Sequence, residues 1–206
     1  MIKPSVVIFD LGKVLVDVDY NLAAWKVASC CKAPPTFTIF ELARFLSHSS
    51  LLSRFETGLL RSKQFYQEIA AATGYSGTLE EFFHDFGDIF TPIEPMIEFQ
   101  AVLRRRGIPT YIFSNTNEIA ARQIRRSFPF FAGFDGYILS YEHGVMKPNA
   151  GLYDVVEHQC GRRGAEVLYL DDRPENIDAG ATRGWQVILH ESPDKSLAAA
   201  SRLGLL

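Results

Sequence analysis

The stretch VVIFDLGKVLVD, residues 6–17, joins a continuous apolar run to an aspartate at its end. Continuous apolar runs are typical of strands that are covered on both faces, as in parallel sheets. A carboxylate is costly to bury alone, so Asp10 requires a nearby cation or hydrogen-bond donors. Two places on, Gly12 carries no side chain. The stretch therefore predicts a buried first strand that places Asp10 at one edge of a sheet.

The rest of the chain alternates between strand-like and helix-like patterns. Short runs rich in β-branched and aromatic residues occur at 5–10, 109–114, 136–140, 166–171 and 186–190. Helical patterns lie at 94–106, 117–127, 149–160 and 174–183. Gly107 and Gly184 follow two of these, where glycine commonly ends a helix. This order predicts an α/β fold, a Rossmann-like doubly wound parallel sheet of five strands.

Residues 19–91 are too many for one crossover, and they contain amphipathic helical stretches but no convincing strand. We expect one helix to start with Ser62 as its N-cap and to stop at Gly74. Thr78 and Glu81 fit a capping box for a second helix, and its phenylalanines form a stripe suited to a small helical core. We therefore predict a helical cap domain at 19–91, inserted into a core formed by 1–18 and 92–206.

The bulk composition excludes several classes of function. The chain has 206 residues and a formal net charge of −3, and its longest basic run is RRR at 104–106, so no nucleic-acid partner is expected. No apolar run has the roughly 20 residues that a membrane helix needs. The cysteines, Cys30, Cys31 and Cys160, have no metal-type spacing and suggest reduced thiols. We expect a cytoplasmic protein, a monomer or a homodimer, whose C-terminal tail forms a short helix.

Acidic and polar residues follow several predicted strands at the ends where ligands bind in open parallel sheets. Asp10 follows the first strand, and a carboxylate there can act as a nucleophile toward phosphorus. Asp171 and Asp172 are adjacent acids, which raise each other's pKa unless a cation lies between them, and Mg²⁺ accepts such ligands. Asn176 is a weaker candidate to support this pair through hydrogen bonds, and its position in the first turn of a predicted helix is explanation enough. Taken singly, each acid also has an ordinary explanation as a turn or helix cap.

Two further groups bring donors to the same edge. Lys147 lies close to the start of a predicted helix, where its charge repels the positive end of the dipole unless an anion lies between them. Ser114 and Asn115 offer a hydroxyl and an amide at the end of the second run, although ordinary turn chemistry also favours these residue types. An exposed lysine without a task is the common alternative for Lys147. The convergence of all these groups is what favours a site.

The stretches FDLGKVL, SNT, KP and LDDRPEN, in this order, resemble the haloacid dehalogenase superfamily. The resemblance implies that Asp10 is the nucleophile and a metal ligand and that Ser114 and Asn115 bind the substrate. It implies that Lys147 neutralises charge on the nucleophile and the phosphoryl group. The implied Mg²⁺ ligands are Asp10, the backbone carbonyl of Gly12, Asp171 and Asp172, with Asp171 or Asp172 as the direct ligand.

Phosphatases of this superfamily usually carry an acid at position 12, and Gly12 departs from that pattern. General acid help is typically worth about 10²–10⁴ in rate, and its loss matters least for a good leaving group such as an anomeric hydroxyl. The Asp-Leu-Gly motif resembles the branch of glucose-1-phosphatase-like and epoxide-hydrolase N-terminal-like proteins. FETGLL, residues 55–60, also resembles that branch, and it is interpreted as a helix–turn junction without chemistry.

The sequence thus favours a Mg²⁺-dependent phosphatase acting on a small phosphorylated metabolite, such as a sugar 1-phosphate, through an aspartyl-phosphate intermediate. One alternative is a metal-independent hydrolase of the dehalogenase type, against which the acid pair speaks. The other is a binding module without catalysis. Which cap residues face the cleft stays open, with Lys13, Arg44 and Arg54 as basic candidates.

Overall fold

The computed structural model describes residues 2–31 and 38–206. Its strands are β1 (Val6–Phe9), β2 (Val16–Val18), β3 (Phe90–Pro92), β4 (Thr110–Ser114), β5 (Gly136–Leu139), β6 (Val167–Asp171) and β7 (Gln186–Leu189). Five of them form a parallel sheet in the order β5-β4-β1-β6-β7. The doubly wound sheet is therefore confirmed, and each predicted strand is present to within one residue at each end.

The first strand, β1, lies at the centre of the sheet. Val6, Val7, Ile8 and Phe9 are at most 1% exposed, because β4 and β6 flank the strand and helices cover both faces. The strand order reverses at β1, which makes the carboxyl end of β1 the switch point of the sheet. Ligands of open α/β sheets bind outside this point.

The helices connect the strands and also form a separate group after β2. They are α1 (Tyr20–Ser29), α2 (Ile39–His48), α3 (Ser50–Glu56), α4 (Ser62–Thr73), α5 (Leu79–Gly87), α6 (Glu94–Arg105), α7 (Glu118–Ser127), α8 (Ser140–His143), α9 (Ala150–Cys160), α10 (Pro174–Thr182) and α11 (Pro193–Arg202). In the described part of the chain no helix is long and apolar enough to cross a membrane. The tail helix packs on its own core, where Ala200 and Leu205 are buried.

The helices α1 to α5 pack around a core of their own, which includes Phe55, Phe65, Phe82 and Phe86. The capping box of Thr78 and Glu81 at the start of α5 is confirmed. Gly74 ends α4 in the left-handed conformation, with φ of 77°. We propose that these helices are the cap domain.

Two predictions about this segment are wrong in detail. Ser62 is the first residue of α4 and Arg61 is the N-cap; the Ser62 hydroxyl instead donates to the Glu118 carboxylate on α7. The expectation of no strand in 19–91 misses β3, which pairs antiparallel with β2. Strands of three residues are too short to show a period-two pattern, and this pair forms because the chain leaves and re-enters the core side by side.

Candidate active site

Three acidic residues meet at the carboxyl edge of the sheet. Asp10 directly follows β1, Asp171 ends β6, and Asp172 comes next. Because parallel neighbouring strands end at the same edge, one oxygen from each carboxylate lies within 4.8 Å of the others. The structure thus brings together the acids that the sequence places far apart.

Lys147 supplies the cation between two of these acids. Its Nζ lies 3.0 Å from Asp10 Oδ1 and 2.6 Å from Asp171 Oδ2, and it also donates to the Phe113 carbonyl at 2.9 Å. Burial alone would lower the pKa of Lys147, but the Coulombic attraction of Asp10 and Asp171 outweighs burial and raises it. The helix α9 starts at Ala150, beyond the lysine. In this structure the anions that face Lys147 are the carboxylates of Asp10 and Asp171.

Asn115 holds the backbone of Lys147. The Asn115 Nδ2 donates to the Lys147 carbonyl at 3.0 Å, and the Lys147 N–H donates to Asn115 Oδ1 at 2.7 Å. Both ends of the amide are therefore used by the protein. The neighbouring Ser114 is buried, and its hydroxyl donates to the Asn115 carbonyl at 3.3 Å, a long bond that a better acceptor can replace.

The Asp171 carboxylate is fully occupied by donors. Its Oδ2 accepts from Lys147 Nζ and from the Tyr169 hydroxyl, and its Oδ1 accepts from the Arg173 N–H and from Asn176 Nδ2, both at 2.9 Å. Burial would raise the pKa of Asp171, but Lys147 and these hydrogen bonds outweigh it and hold the pKa below its usual value. Asn176 therefore supports the acid pair as expected, whereas Tyr169 is a contributor that the sequence reading missed.

The Asp172 carboxylate has a different environment. It is half-buried and accepts no hydrogen bond from another described residue. Burial, and then the nearby Asp171 charge, raise the pKa of Asp172. A carboxylate with unused acceptors beside other carboxylates is suited to binding a cation.

The charge of the cluster is not balanced by Lys147 alone. Burial is the main reason why the pKa of Asp10 rises to about 7, with Asp171 and Asp172 adding to it and Lys147 opposing it. Three carboxylates face one ammonium, so a further positive charge would stabilise their ionised forms. Carboxylate oxygens are the ligands that Mg²⁺ prefers, and this donor set fits such an ion.

A small cavity of about 60 Å³ lies beside Leu11 and Gly12, the residues that directly follow Asp10 in the chain. Gly12, Ser114 and Asn115 line it from the core, and Glu56, at the end of α3, lines it from the helical segment. Glu56 is the second residue that the sequence reading missed. Lys13 and Arg54 instead form exposed ion pairs, with Asp17 and Glu68. Arg44 lines a separate surface depression. A larger cavity of about 650 Å³, between α4, α5 and α7, includes none of the predicted site residues.

The fold and the residues at the carboxyl ends of its strands together characterise one class of protein. The family model of haloacid dehalogenase-like hydrolases matches residues 4–184, and the chain belongs to that family. The protein is therefore a hydrolase.

The chain is also similar to two curated relatives and to one solved structure. The chain is 23% identical, over 90% of its length and 91% of the relative's, to D-ribitol-5-phosphate phosphatase from Bacteroides thetaiotaomicron. It is 25% identical, over 66% of its length and 70% of the relative's, to the sesquiterpene phosphatase astK from Aspergillus oryzae. A HAD family enzyme from Bacteroides thetaiotaomicron, solved with magnesium and inorganic phosphate, superposes with a TM-score of 0.78 at 19% identity, covering 90% of this chain and 93% of that one.

Proposed function

We propose that the protein is a Mg²⁺-dependent phosphatase that hydrolyses a small phosphorylated metabolite through an aspartyl-phosphate intermediate on Asp10. The observation that carries the proposal is the cluster of Asp10, Asp171 and Asp172 around Lys147 at the switch point of the sheet. Both curated relatives are named phosphatases, which supports the same reaction class.

Each core residue has a defined part in this reaction. Asp10 attacks the phosphorus, and the Lys147 ammonium, 3.0 Å from Asp10 Oδ1, neutralises charge on the nucleophile and on the phosphoryl group. The Ser114 hydroxyl binds a phosphoryl oxygen in place of its long bond to the Asn115 carbonyl. Asn115, predicted as a substrate-binding residue, acts by fixing the Lys147 backbone.

The residues that would hold Mg²⁺ are Asp10, Asp172 and the backbone carbonyl of Gly12. Asp172 is the direct ligand of the acid pair in this proposal, because Asp171 already accepts four hydrogen bonds. Asp171 would then hold Lys147 and would contribute to the metal site only through a water molecule. When bound, Mg²⁺ neutralises negative charge on the phosphoryl oxygens.

For the substrate, sugar phosphates are the first class to test. An anomeric oxygen leaves readily, which would suit a site without an acid at position 12, so sugar 1-phosphates come first. The relative named for D-ribitol 5-phosphate makes alkyl phosphates the second class.

Two other functions make different predictions. A dehalogenase-type hydrolase uses the same nucleophile without metal, and it gives the unpaired Asp172 carboxylate no task. A binding module without catalysis gives no reason to keep Lys147 between two buried acids, an arrangement that costs desolvation.

Phosphate release with and without Mg²⁺ tests the proposal. The panel contains sugar 1-phosphates, sugar 6-phosphates, alkyl phosphates and phenyl phosphates, and Asp10→Asn is the matched blank. Metal-dependent release that the variant lacks is the expected result. Halide release from a 2-haloacid without metal would favour the dehalogenase, and a folded protein that releases nothing would favour the binding module.

A further inference from the structure

Gly12 has no side chain, and the structure leaves space beside its backbone. A Cβ atom built on Gly12 would have Val18 Cγ2 at 3.9 Å as its nearest neighbour, which is ordinary van der Waals contact. The fold therefore has room for a Cβ atom at position 12. The space beside Gly12 belongs to the small cavity that Glu56 lines from the other side.

The backbone of Glu56 is attached to the core at this place. The buried Ser140 hydroxyl, at the start of α8, donates to the Glu56 carbonyl at 2.6 Å and accepts from the Thr116 N–H at 2.9 Å. Two residues after Glu56, Gly58 adopts φ of 72° so close to α8 that a Cβ would lie 2.2 Å from the Tyr141 carbonyl oxygen. These contacts hold the end of α3 over the carboxyl edge of the sheet.

The carboxyl group of Glu56 is not used by the fold. It makes no hydrogen bond or ion pair with a residue in the described ranges 2–31 and 38–206. Among the same residues every fully enclosed polar side-chain atom has a hydrogen-bond partner, so the unpartnered Glu56 oxygens are not fully enclosed. The groups that interact electrostatically with this carboxyl are Lys147, Arg173 and the Tyr20 hydroxyl of α1.

We propose that Glu56 is the general acid and base of the reaction, in place of the acid missing at position 12. This inference rests on the proposed function. It assigns the general acid and base to α3, in the helical segment, and not to a strand end of the sheet.

In the first step, an Asp10 oxygen forms a bond to phosphorus and the bond from phosphorus to the leaving oxygen breaks. The electron pair of that bond stays on the leaving oxygen, which takes the proton of Glu56 and departs as an alcohol. In the second step, water attacks the phosphorus and gives a proton to the Glu56 carboxylate. The phosphorus–oxygen bond to Asp10 breaks, its electron pair returns to Asp10, and phosphate leaves with Glu56 protonated again.

The titration of Glu56 suits this role. Burial raises the pKa of Glu56 to about 7, with Arg173 and Lys147 opposing the rise. The group therefore carries its proton in a large fraction of molecules at neutral pH, where an ordinary glutamate is ionised. A general acid is most effective with a pKa near the working pH.

Single-turnover kinetics with excess enzyme test the proposal, because they isolate the first step. The two substrates are 4-nitrophenyl phosphate, whose leaving group departs without a proton, and the alkyl phosphate that the wild type hydrolyses fastest. Glu56→Gln should slow the alkyl ester by about 10²–10⁴ and 4-nitrophenyl phosphate by less than about threefold. Glu68→Gln, which removes an exposed carboxylate of α4, is the matched control and should change neither rate.

Rescue distinguishes catalysis from a structural role. The double variant Gly12→Asp/Glu56→Gln places an acid at a position where a Cβ has room. It should hydrolyse the alkyl ester at least tenfold faster than Glu56→Gln alone. An equal loss with both esters and no rescue would overturn the role of Glu56. A wild type without metal-dependent release from any ester would instead overturn the proposed function, and this inference with it.

A second measurement uses the wild type alone and does not depend on the folding of a variant. Single-turnover rates across a series of phenyl phosphates whose phenols are weaker acids than 4-nitrophenol should vary only weakly with the pKa of the leaving phenol, because Glu56 supplies the proton. A steep dependence, as for an unprotonated leaving group, would contradict the proposal.

Discussion

Asn115 and Lys147 are joined by two hydrogen bonds in opposite directions, one of 3.0 Å and one of 2.7 Å. This pair connects the end of β4 to the loop before α9, 32 residues away in sequence. It places the lysine so that its ammonium reaches Asp10 and Asp171 together.

Replacing Asn115 should therefore impair catalysis through the lysine. Asn115→Ala removes both bonds, so we expect unfolding free energy to fall by about 1–3 kcal/mol. We also expect kcat to fall more than tenfold, because Lys147 loses its position. Urea unfolding and steady-state kinetics measure the two effects. An unchanged kcat would show that the lysine does not depend on Asn115.

The adjacent acids should differ in what their removal costs. Asp172→Asn should weaken Mg²⁺ binding at least tenfold, measured by isothermal titration calorimetry, with little change in stability. Asp171→Asn should lower the unfolding free energy by about 3 kcal/mol, because it breaks a buried ion pair with Lys147. If Asp171→Asn were the variant that lost metal without losing stability, the assignment of the direct ligand would be reversed.

Stability should depend on pH and on metal in a linked way. Asp10 and Glu56 each have a pKa raised to about 7, from 3.8 and 4.5 respectively. Between those values and 7 the folded protein binds more protons than the unfolded chain, so the metal-free unfolding free energy falls as pH rises. Asp171, whose pKa is lowered from 3.8, stabilises the folded protein throughout this window, and its contribution is lost only as the pH falls below 3.8.

Mg²⁺ should reverse part of this loss. Protons compete with the ion for carboxylates, so the rise in Tm on adding Mg²⁺ should be large at pH 7.5 and small at pH 5. Thermal unfolding with EDTA and with Mg²⁺ at the two pH values measures it. An equal rise at both would argue against a carboxylate site.

The turn after Glu56 should tolerate no side chain. Gly58→Ala combines a φ of 72° with a Cβ 2.2 Å from the Tyr141 carbonyl oxygen, so the turn must move away from α8. Gly74→Ala is the matched control, because its φ is 77° and nothing lies within 4 Å of its Cβ. We expect about 1 kcal/mol of destabilisation for the control. Gly58→Ala should cost more and should also lower hydrolysis of alkyl esters, as seen by urea unfolding and kinetics. Equal effects would show that the turn adapts to the added methyl group.

Much of this arrangement can be read from sequence because it depends on local patterns. The continuous apolar run before Asp10 predicts a buried strand, and the parallel sheet then brings Ser114 and Asp171 to the same edge. Gly74 and the Thr78–Glu81 pair mark helix ends through local backbone chemistry. Their positions follow from short-range rules that act within a few residues.

The parts that sequence reasoning missed depend on contacts between distant segments. The sequence pattern identifies Tyr169 only as a buried strand residue. The tertiary structure shows that its hydroxyl donates a hydrogen bond to Asp171. The pairing of β2 with β3 arises because the helical segment leaves and re-enters the core at adjacent points.

The sequence by itself determined the strands of the sheet and the residues at its carboxyl edge, because apolar periodicity and strand ends are local properties of the chain. The order of the strands within the sheet was decided by the tertiary structure. Only the tertiary structure decided which of the two adjacent acids is saturated with donors and which retains free oxygens. It also decided that Glu56, 44 residues beyond Gly12 in the chain, lines the same cavity. Burial gives that carboxyl its raised pKa, and no pattern along the chain encodes that burial.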